Sequence, residues 1–546
     1  MKRHLTYPQC SIYSFLAEKS ASRQSLTALN YFGRKISYKQ LMSNIGRCAD
    51  ALSELGVKKG DFVSICLPNI PEAVYLFYAV NKLGAAANMI HPMSAENEIL
   101  RFVELTGSRF LFVLDLIGDK AEQVRLRCSG LKAVSVGVSG SMSLFMKLGY
   151  RLTQKKASSA LQAMDWDSFI SLGKNSSVPA EKCSPDRTAA ILYSGGTTGK
   201  PKGIMLTDLN FNALALQSIE ACGGLSEGMK MLSVMPVFHG FGLGVCIHTM
   251  LILGGTAVIQ PKFSVKDLPK LLFRYKPDMI AGVPAMYEAM LTDKSFEGKD
   301  LGFLKCIISG GDSLAPSTKK KLNAMLKSHG CKAQVREGYG LTECVTGSCL
   351  IPGDSGDLLS VGLPYPDTYY KIIDDKGREL PAGETGQIIL RGPSVMKGYY
   401  KEPEETANTL VKRDDGHIWL YTGDIGHMNE EGYVYFSQRL KRMIVSGGYN
   451  IYPQNIEDVI SSHKDVVMCA VVGVPDKIMG ERVRACVVPT KDCDEARLRS
   501  ELDELLKKNV SRYAQPRELV FMTCLPKTLV GKIAYNELKQ EACNEK

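Results

Sequence analysis

A glycine-rich segment occupies residues 193–203 and reads Tyr193-Ser194-Gly195-Gly196-Thr197-Thr198-Gly199-Lys200-Pro201-Lys202-Gly203. A short apolar, β-prone run precedes it and a segment with helical apolar spacing follows it, which predicts a strand–loop–helix corner. The glycines let the backbone approach a ligand closely, and the hydroxyls and lysines add donors and positive charge. This combination suits a polyphosphate, whereas a flexible surface loop is the alternative. The candidate phosphate-binding residues are Ser194, Gly195, Gly196, Thr197, Thr198, Gly199 and Lys200.

The segment does not fit a Walker loop. That motif requires a glycine five residues before its final Gly-Lys pair and a Ser or Thr directly after the pair. Here those positions hold Ser194 and Pro201. A plain P-loop nucleotide hydrolase is therefore disfavoured.

Length and composition indicate a multidomain globular enzyme. The chain has 546 residues, more than a single core accommodates, with 45% hydrophobic and 23% charged residues. The net charge of +10 is modest for this length and the basic runs are short, so solvated helix faces explain them better than nucleic-acid binding. We expect small anionic substrates and no nucleic acid as partners.

Cysteine usage and hydropathy indicate the compartment. The 16 cysteines are scattered singly, as in proteins whose thiols stay reduced. No apolar core follows the basic start at Met1 to His4, and the longest apolar region, Val245 to Ile259, is interrupted by polar residues and glycines. We therefore expect a cytoplasmic enzyme, with peripheral contact at the inner membrane surface as the alternative.

Strand and helix patterns alternate along most of the chain. Short apolar strands alternate with helical spacings from Ile36 to Val136 and again from Thr207 to about Leu363. This predicts a doubly wound α/β body with parallel sheets covered on both faces, whose ligands bind beyond the carboxyl ends of the strands. Residues 369–435 change to short β-rich runs, which predicts a barrel-like part. A small, mobile α/β domain is predicted at the end, with boundaries of 1–438 and 439–546.

One segment breaks this alternation. Residues 139–160 mix apolar residues with Lys147, Arg151, Lys155 and Lys156, which gives a basic amphipathic pattern. Such a segment could bind weakly to a membrane surface. The simpler interpretation, which we prefer, is an ordinary surface helix or connector.

Three further motifs contain residue types that could bind a nucleotide. In Ser309-Gly310-Gly311-Asp312, a tight turn after a predicted strand could place backbone against a flat ring, although on its own the motif is better explained as a simple strand-end turn. In Gly338-Tyr339-Gly340-Leu341-Thr342-Glu343, the aromatic ring can stack on a base, the hydroxyl can reach a phosphate oxygen, and the carboxylate suits Mg²⁺. Tyr421-Thr422-Gly423-Asp424 ends a short β run, where Asp424 can accept from two vicinal hydroxyls or merely cap a turn.

These motifs, followed near the C-terminus by Pro526-Lys527-Thr528-Leu529-Val530-Gly531-Lys532, resemble in order those of the adenylate-forming superfamily of acyl- and aryl-CoA synthetases, peptide-synthetase adenylation domains and luciferases. The resemblance covers essentially the whole chain. It implies that the glycine-rich loop holds the β- and γ-phosphates of ATP and that Glu343 carries Mg²⁺. It also implies adenosine contacts from Gly310, Gly311, Asp312, Tyr339, Asp424 and Arg439.

The resemblance also implies roles for the end of the chain. Lys532 would bridge the substrate carboxylate and the α-phosphate, where Thr342 also lies, and a positioned ammonium stabilises the charge that gathers there. Lys441 would be the hinge of the C-terminal domain, and Gly447 and Gly448 would line the coenzyme A channel. Two departures from the family pattern are Gln438, where most members have Gly, and Asn455, where many have Glu.

The acid-binding region is predicted around Pro236-Val237-Phe238-His239-Gly240-Phe241-Gly242-Leu243. It resembles the family's aromatic gate, with His239 at the gating position, although a lone histidine is often structural. The small residues Gly240, Gly242, Gly244 and Gly338 suggest an open channel that favours an aliphatic acyl chain over a compact acid.

The resulting hypothesis is an ATP-dependent acid–CoA ligase with Lys532, Thr342, Glu343 and His239 as catalytic residues. A medium- or long-chain fatty acid is the first choice of substrate. An aryl or 4-coumarate-like acid is the second, and a ligase that loads a carrier protein is a third possibility. A non-catalytic nucleotide-binding regulator is disfavoured because Lys532, Glu343 and Asp424 are all present.

Overall fold

Two large, mostly parallel sheets organise the first two thirds of the chain. The computed structural model describes residues 4–143, 146–147, 161–173, 177–194, 201–353, 355, 357–439, 442, 444–446, 449–451, 453–476, 479–491, 493–510, 514–528 and 533–544. Within these ranges, no helix is both long and apolar enough to span a membrane.

The first sheet has nine strands. They are β1 (Thr27–Tyr31), β2 (Arg34–Ser37), β10 (Lys230–Ser233), β11 (Thr256–Ile259), β12 (Met279–Gly282), β13 (Cys306–Ser309), β14 (Val335–Tyr339), β15 (Cys349–Leu350) and β16 (Leu363–Pro364). Their order is β16-β15-β14-β13-β12-β10-β11-β1-β2. All pairs from β14 to β1 are parallel, so the strand ends that carry the predicted motifs meet at one edge.

The second sheet has eight strands. They are β3 (Phe62–Cys66), β4 (Ala86–Met89), β5 (Phe110–Leu114), β6 (Lys132–Val136), β7 (Met164–Asp165), β8 (Thr188–Ser194), β9 (Lys202–Thr207) and β19 (Gly398–Tyr399). Their order is β19-β9-β8-β4-β3-β5-β6-β7, and the pairs from β8 to β7 are parallel.

Helices cover these sheets and continue into the last part of the chain. They are α1 (Ile12–Ser20), α2 (Tyr38–Glu54), α3 (Pro71–Lys82), α4 (Glu96–Thr106), α5 (Gly118–Arg127), α6 (Trp166–Leu172), α7 (Asp208–Cys222), α8 (Met250–Leu253), α9 (Leu268–Tyr275), α10 (Pro284–Thr292), α11 (Pro316–Ser328), α12 (Pro403–Thr409), α13 (Pro453–Ser461), α14 (Glu495–Asn509) and α15 (Tyr535–Asn544). A π-helix, Phe241–Thr249, precedes α8. Every residue of α3 is buried, and one continuous core joins apolar residues of both sheets. The predicted doubly wound α/β body is confirmed.

The β-rich part and the C-terminal domain each contain one smaller sheet. The third sheet is antiparallel and consists of β17 (Tyr369–Ile373), β18 (Gly386–Arg391), β20 (Leu410–Lys412), β21 (Ile418–Met428) and β22 (Val434–Arg439). The fourth consists of β23 (Ile444–Ser446), β24 (Tyr449–Ile451), β25 (Val466–Asp476), β26 (Gly480–Pro489) and β27 (Glu518–Phe521), with α13 and α14 packed on it.

The structure corrects the predicted strand–loop–helix corner. Residues Lys202–Thr207 form a strand, β9, antiparallel to β8, and the helix begins only at Asp208. The glycine-rich loop therefore connects two neighbouring strands of the second sheet. The error has a simple cause, because an apolar run as short as 203–206 has no periodicity that separates strand from helix.

The basic amphipathic segment at 139–160 falls largely outside the described residues. Of its apolar residues, Met142 is buried in the core, and Met146 is partly buried against it. These two side chains face the protein. The membrane-association hypothesis for the remainder stays a prediction.

A buried ion pair fixes the edge of the first sheet where the motifs meet. The Lys319 ammonium of α11 lies 2.6 Å from the Glu337 carboxylate of β14, and both side chains are almost fully buried. The second oxygen of Glu337 accepts a hydrogen bond from the Leu314 amide, two residues after Asp312. Burial raises the pKa of Glu337, and the charge of Lys319 opposes that rise. The pair thus holds the turn after β13 against the end of β14.

We predict that Lys319→Met lowers the free energy of unfolding by about 3 kcal/mol at pH 8, because it leaves a buried charge without a partner. Without Lys319 the pKa of folded Glu337 rises further above its unfolded value, so the carboxyl is neutral and tolerated at low pH. The loss of stability should therefore be smaller at pH 5 than at pH 8, which denaturant unfolding at the two pH values measures.

The neighbouring exposed lysine offers a matched control, since Lys320→Met should change stability little at either pH. The double variant K319M/E337Q should remove most of the pH dependence. An equal loss at pH 5 and pH 8 in K319M would contradict this assignment.

Candidate active site

Two of the predicted motifs lie side by side at the carboxyl edge of the first sheet. Gly310, Gly311 and Asp312 follow β13, and Tyr339 ends β14, which pairs with β13 in parallel. Gly311 has a φ of +85°, which glycine adopts without strain. Ligands of α/β folds bind at such an edge, and the two turns form its floor.

Tyr339 connects this edge to the third sheet. Its hydroxyl donates to the Asp424 carboxylate at 2.5 Å, and both residues are buried. Burial raises the pKa of Tyr339 well above its ordinary value, and the charge of Asp424 raises it further. A protonated hydroxyl therefore holds Asp424 beside the aromatic ring.

Asp424 is directed there by an irregularity within β21, not by the end of a strand as predicted. Ile388 pairs with Asp424 while Ile389 pairs with Tyr421, so Thr422 and Gly423 are extra residues in the ladder. Gly423 has a φ of +69°. Such bulges bend a strand and re-aim a side chain, often next to a functional site. The same strand pairs Asp424 with Arg439 of β22, so the two predicted ribose contacts are opposite each other.

A second aromatic ring, which none of the motifs indicates, lies at this place. Phe436 of β22 stacks on Tyr339, with ring centroids 5.8 Å apart and planes 30° apart. Its only signal in the sequence is its position in an alternating β run after Asp424. The two stacked rings thus lie beside a buried carboxylate.

Glu343 lies on a short 3₁₀ turn, Thr342–Cys344, which begins three residues after the end of β14. The Tyr399 hydroxyl donates to one carboxylate oxygen of Glu343 at 2.9 Å, and the Met396 amide donates to its backbone carbonyl at 2.7 Å. Burial and the charge of Glu343 both raise the pKa of Tyr399. Tyr399 belongs to β19, which pairs with β9 beside the glycine-rich loop, so it joins two predicted motifs. Sequence reasoning did not identify it.

A cavity with about 580 Å³ of empty space, part of it open to solvent, begins at this edge of the sheet. Its outer part is bounded by the turns around Gly310, Gly311 and Tyr339. Its inner part is mostly apolar and contains Cys222, Leu225, Met231, Val245, Met250 and Met279. Three thioether side chains give the wall a surface that adapts to flexible apolar ligands.

The glycines predicted to open a channel have a different role, with one exception. Gly338 does line the cavity. A Cβ at Gly240 would lie 1.4 Å from the Val345 carbonyl oxygen, and one at Gly242 would lie 2.0 Å from that of Pro236. A Cβ at Gly244 would lie within 3 Å of two side chains. At these three positions the surrounding atoms leave no room for a side chain, so the glycines serve close packing.

His239 lies half-buried at the start of the π-helix, with its ring 5.1 Å from that of Phe238. In this segment the aromatic ring that lines the described cavity is that of Phe241, two residues further on. The gating role of His239 therefore stays a prediction.

Several predicted residues fall outside the described parts of the chain. They are Gly195, Gly196, Thr197, Thr198, Gly199, Lys200, Lys441, Gly447, Gly448 and Lys532. Their surroundings are partly described: Ser194 pairs with Lys202 across the base of the glycine-rich loop, and Lys527 pairs with Ile533. The Lys202 ammonium forms an ion pair with Glu405 of α12.

The C-terminal domain faces the edge of the first sheet. Burial raises the pKa of Glu288 on α10, and the ammonium of Lys527 opposes that rise. In addition, the Ser317 hydroxyl of α11 donates to the Ser461 carbonyl of α13 at 3.4 Å. Lys527, which lies in the same motif as the predicted catalytic lysine, is therefore near α10 of the large domain.

Comparison with known proteins agrees with this arrangement. Residues 16–400 match the family described as AMP-binding enzyme, and residues 455–532 match the AMP-binding enzyme C-terminal domain. The chain belongs to this family of adenylate-forming enzymes.

Individual relatives cover nearly the whole chain. A long-chain-fatty-acid–CoA ligase of Bacillus subtilis is 33% identical over 98% of this chain and 95% of its own. The 4-coumarate–CoA ligase-like 9 protein of Oryza sativa is 30% identical over 96% of this chain and 91% of its own. The ATP-bound crystal structure of MatB from Rhodopseudomonas palustris superposes with a TM-score of 0.84 at 28% sequence identity. The superposition covers 98% of this chain and 99% of the MatB chain.

We predict that Tyr399→Phe weakens the use of ATP, because the Glu343 carboxylate loses the hydrogen bond that orients it. A hydrogen bond to a charged group contributes about 1.5–3 kcal/mol, so catalytic efficiency with MgATP should fall by roughly tenfold or more. Pyrophosphate release at varied ATP and Mg²⁺ measures this. Tyr400→Phe, whose ring packs on Phe62, is the matched control; equal effects of both substitutions would contradict the role of Tyr399.

Proposed function

We propose that this protein activates a carboxylic acid with ATP and transfers the acyl group to coenzyme A. The observation that carries the proposal is the continuity between the Tyr339 edge and the apolar cavity of about 580 Å³. One end offers aromatic and carboxylate groups for an adenosine phosphate. The other offers a mostly apolar wall against which the acid can pack.

The first step would be attack of a carboxylate oxygen on the α-phosphorus of ATP, with pyrophosphate as the leaving group. Tyr339 and Phe436 would contact the adenine, and Asp424 would accept hydrogen bonds from the ribose hydroxyls. Thr342 would donate to an α-phosphate oxygen, and the Gly195–Gly199 loop would hold the outer phosphates. Lys532 would stabilise the charge that develops between carboxylate and phosphate.

The residues near Glu343 suit a divalent cation. The Glu343 carboxylate is half-buried, and Tyr399 holds one of its oxygens. Carboxylate oxygens are hard ligands of the kind that Mg²⁺ prefers, and Thr342 lies on the same turn. Mg²⁺ bound there would neutralise part of the phosphate charge.

The second step would be attack of the coenzyme A thiol on the acyl carbonyl, which displaces AMP and forms the thioester. We propose that the C-terminal domain turns about Lys441 between the two steps, which exchanges Lys532 for the Gly447–Gly448 loop. Hinge movements of this kind let one site perform two reactions. The domain boundary at 438/439 is part of the same proposal, and β22 ends at Arg439, beside it.

An aliphatic acid is the substrate that we propose. The inner cavity contains Met231, Met250 and Met279, and flexible thioethers tolerate a chain that takes many conformations. The name of the Bacillus subtilis relative supports a long-chain fatty acid, and that of the rice relative keeps an aryl acid as the second candidate.

The test is pyrophosphate release with ATP and Mg²⁺ across fatty acids of increasing length, benzoates, cinnamates and amino acids, each with and without coenzyme A. We expect stimulation by medium- or long-chain fatty acids together with consumption of coenzyme A. Activation without coenzyme A turnover would indicate a carrier protein as acceptor. No response to any acid would contradict the proposed function.

We further predict that Lys532→Ala slows adenylate formation by about 10²–10³-fold, the usual effect of removing a group that stabilises transition-state charge. Thioester formation from chemically prepared acyl-adenylate should be largely retained, which rapid mixing with coenzyme A measures. Lys508→Ala on α14 is the control. If Lys532→Ala slowed both half-reactions equally, the assigned role would be wrong.

A further inference from the structure

Val345 has an unusual backbone conformation directly after the Glu343 turn. Its φ is +63° and its ψ is −35°, and its side chain is completely buried. A β-branched residue with positive φ is a genuine outlier, and such residues persist only where the surrounding packing holds them. The packing around Val345 therefore determines its conformation.

That packing comes from the π-helix. The Val345 carbonyl oxygen lies so close to the Gly240 α-carbon that a Cβ there would be 1.4 Å from it. One methyl group of Val345 lies 2.9 Å from the place of a Cβ on Gly244. Main chain and side chain of Val345 thus both contact the first turns of the π-helix. Helices of this type are rare and frequently occur at functional sites.

The segments on both sides of this contact contribute residues to the wall of the cavity. On the π-helix, Phe241, Val245 and Thr249 line it. On the other side, Thr346 and Gly347, which follow Val345 directly, also line it. A ligand that fills the cavity therefore touches the two segments between which Val345 is packed.

Val345 is also part of the turn that carries the candidate phosphate and metal residues. Its amide donates to the Thr342 carbonyl at 3.0 Å and closes the turn around Glu343. A shift of Val345 would change the position of Thr342 and Glu343. The same residue thus contacts the wall of the acid cavity and closes the nucleotide-binding turn.

We infer that Val345 is a positioning residue that couples occupancy of the acid cavity to the placement of Thr342 and Glu343. The inference rests on the proposed function. An acid in the cavity fixes the π-helix against Val345, and Val345 fixes the turn for the nucleotide. Such coupling is reciprocal, so the acid strengthens nucleotide binding and the nucleotide strengthens acid binding by the same factor.

The test is calorimetric titration of the full-length protein with α,β-methylene ATP and Mg²⁺, with and without saturating dodecanoate. In the wild type we expect dodecanoate to strengthen nucleotide binding by roughly fivefold or more. In Val345→Gly we expect the ratio of the two nucleotide affinities, with and without dodecanoate, to be close to one. Glycine accepts the positive φ without strain, so the fold should be retained.

Two variants separate coupling from a merely structural effect. Lys276→Gly also replaces a residue of positive φ, +42°, at the end of α9, and should leave the factor unchanged. In Val345→Gly combined with Gly244→Ala, the new Cβ occupies part of the space that the valine methyl left, so part of the coupling should return.

A wild-type factor of one, or the wild-type factor in Val345→Gly, would overturn the inference. Failure of the proposed function would look different, because dodecanoate and the other acids would then stimulate no pyrophosphate release in the wild type.

Discussion

The candidate site depends on a close approach of two chain segments. The stretch from Glu343 to Gly347 packs so tightly that neither Gly240 nor Gly340 has room for a Cβ, which would lie 1.4 Å and 1.8 Å from the carbonyl oxygens of Val345 and Thr346. This stretch carries a candidate metal ligand at one end and cavity-lining residues at the other. The contact therefore sets the distance between the proposed phosphate-binding turn and the proposed acid-binding cavity. Dense packing of this kind transmits small displacements.

Two hydroxyl–carboxylate hydrogen bonds extend this constraint to the other sheets. Tyr339 donates to Asp424 and connects the first sheet to the third. Tyr399 donates to Glu343 and connects the first sheet to the strand pair that flanks the glycine-rich loop. Charge-assisted bonds are stronger and more directional than neutral ones. The site therefore lies where three sheets meet, with one carboxylate fixed at each junction.

The sequence was sufficient for the α/β alternation and for the order of the motifs, because buried parallel strands and glycine-rich turns leave strong local patterns. It was insufficient where the outcome depends on distant contacts. The run after Lys202 became a strand because it pairs with β8, and Gly240 and Gly244 lack room for a Cβ because remote segments pack against them. Likewise, nothing near Tyr399 indicates that its hydroxyl reaches Glu343, 56 residues away in the chain.

The central claim is that nucleotide and acid occupy the two ends of one continuous site. A crystal structure of the protein with a dodecanoyl sulfamoyl adenosine, a stable mimic of an acyl-adenylate, tests it most directly. We predict the adenosine beside Tyr339 and Asp424, and the alkyl chain inside the cavity among Met231, Met250 and Met279. An alkyl chain bound elsewhere, with that cavity empty, would contradict the claim.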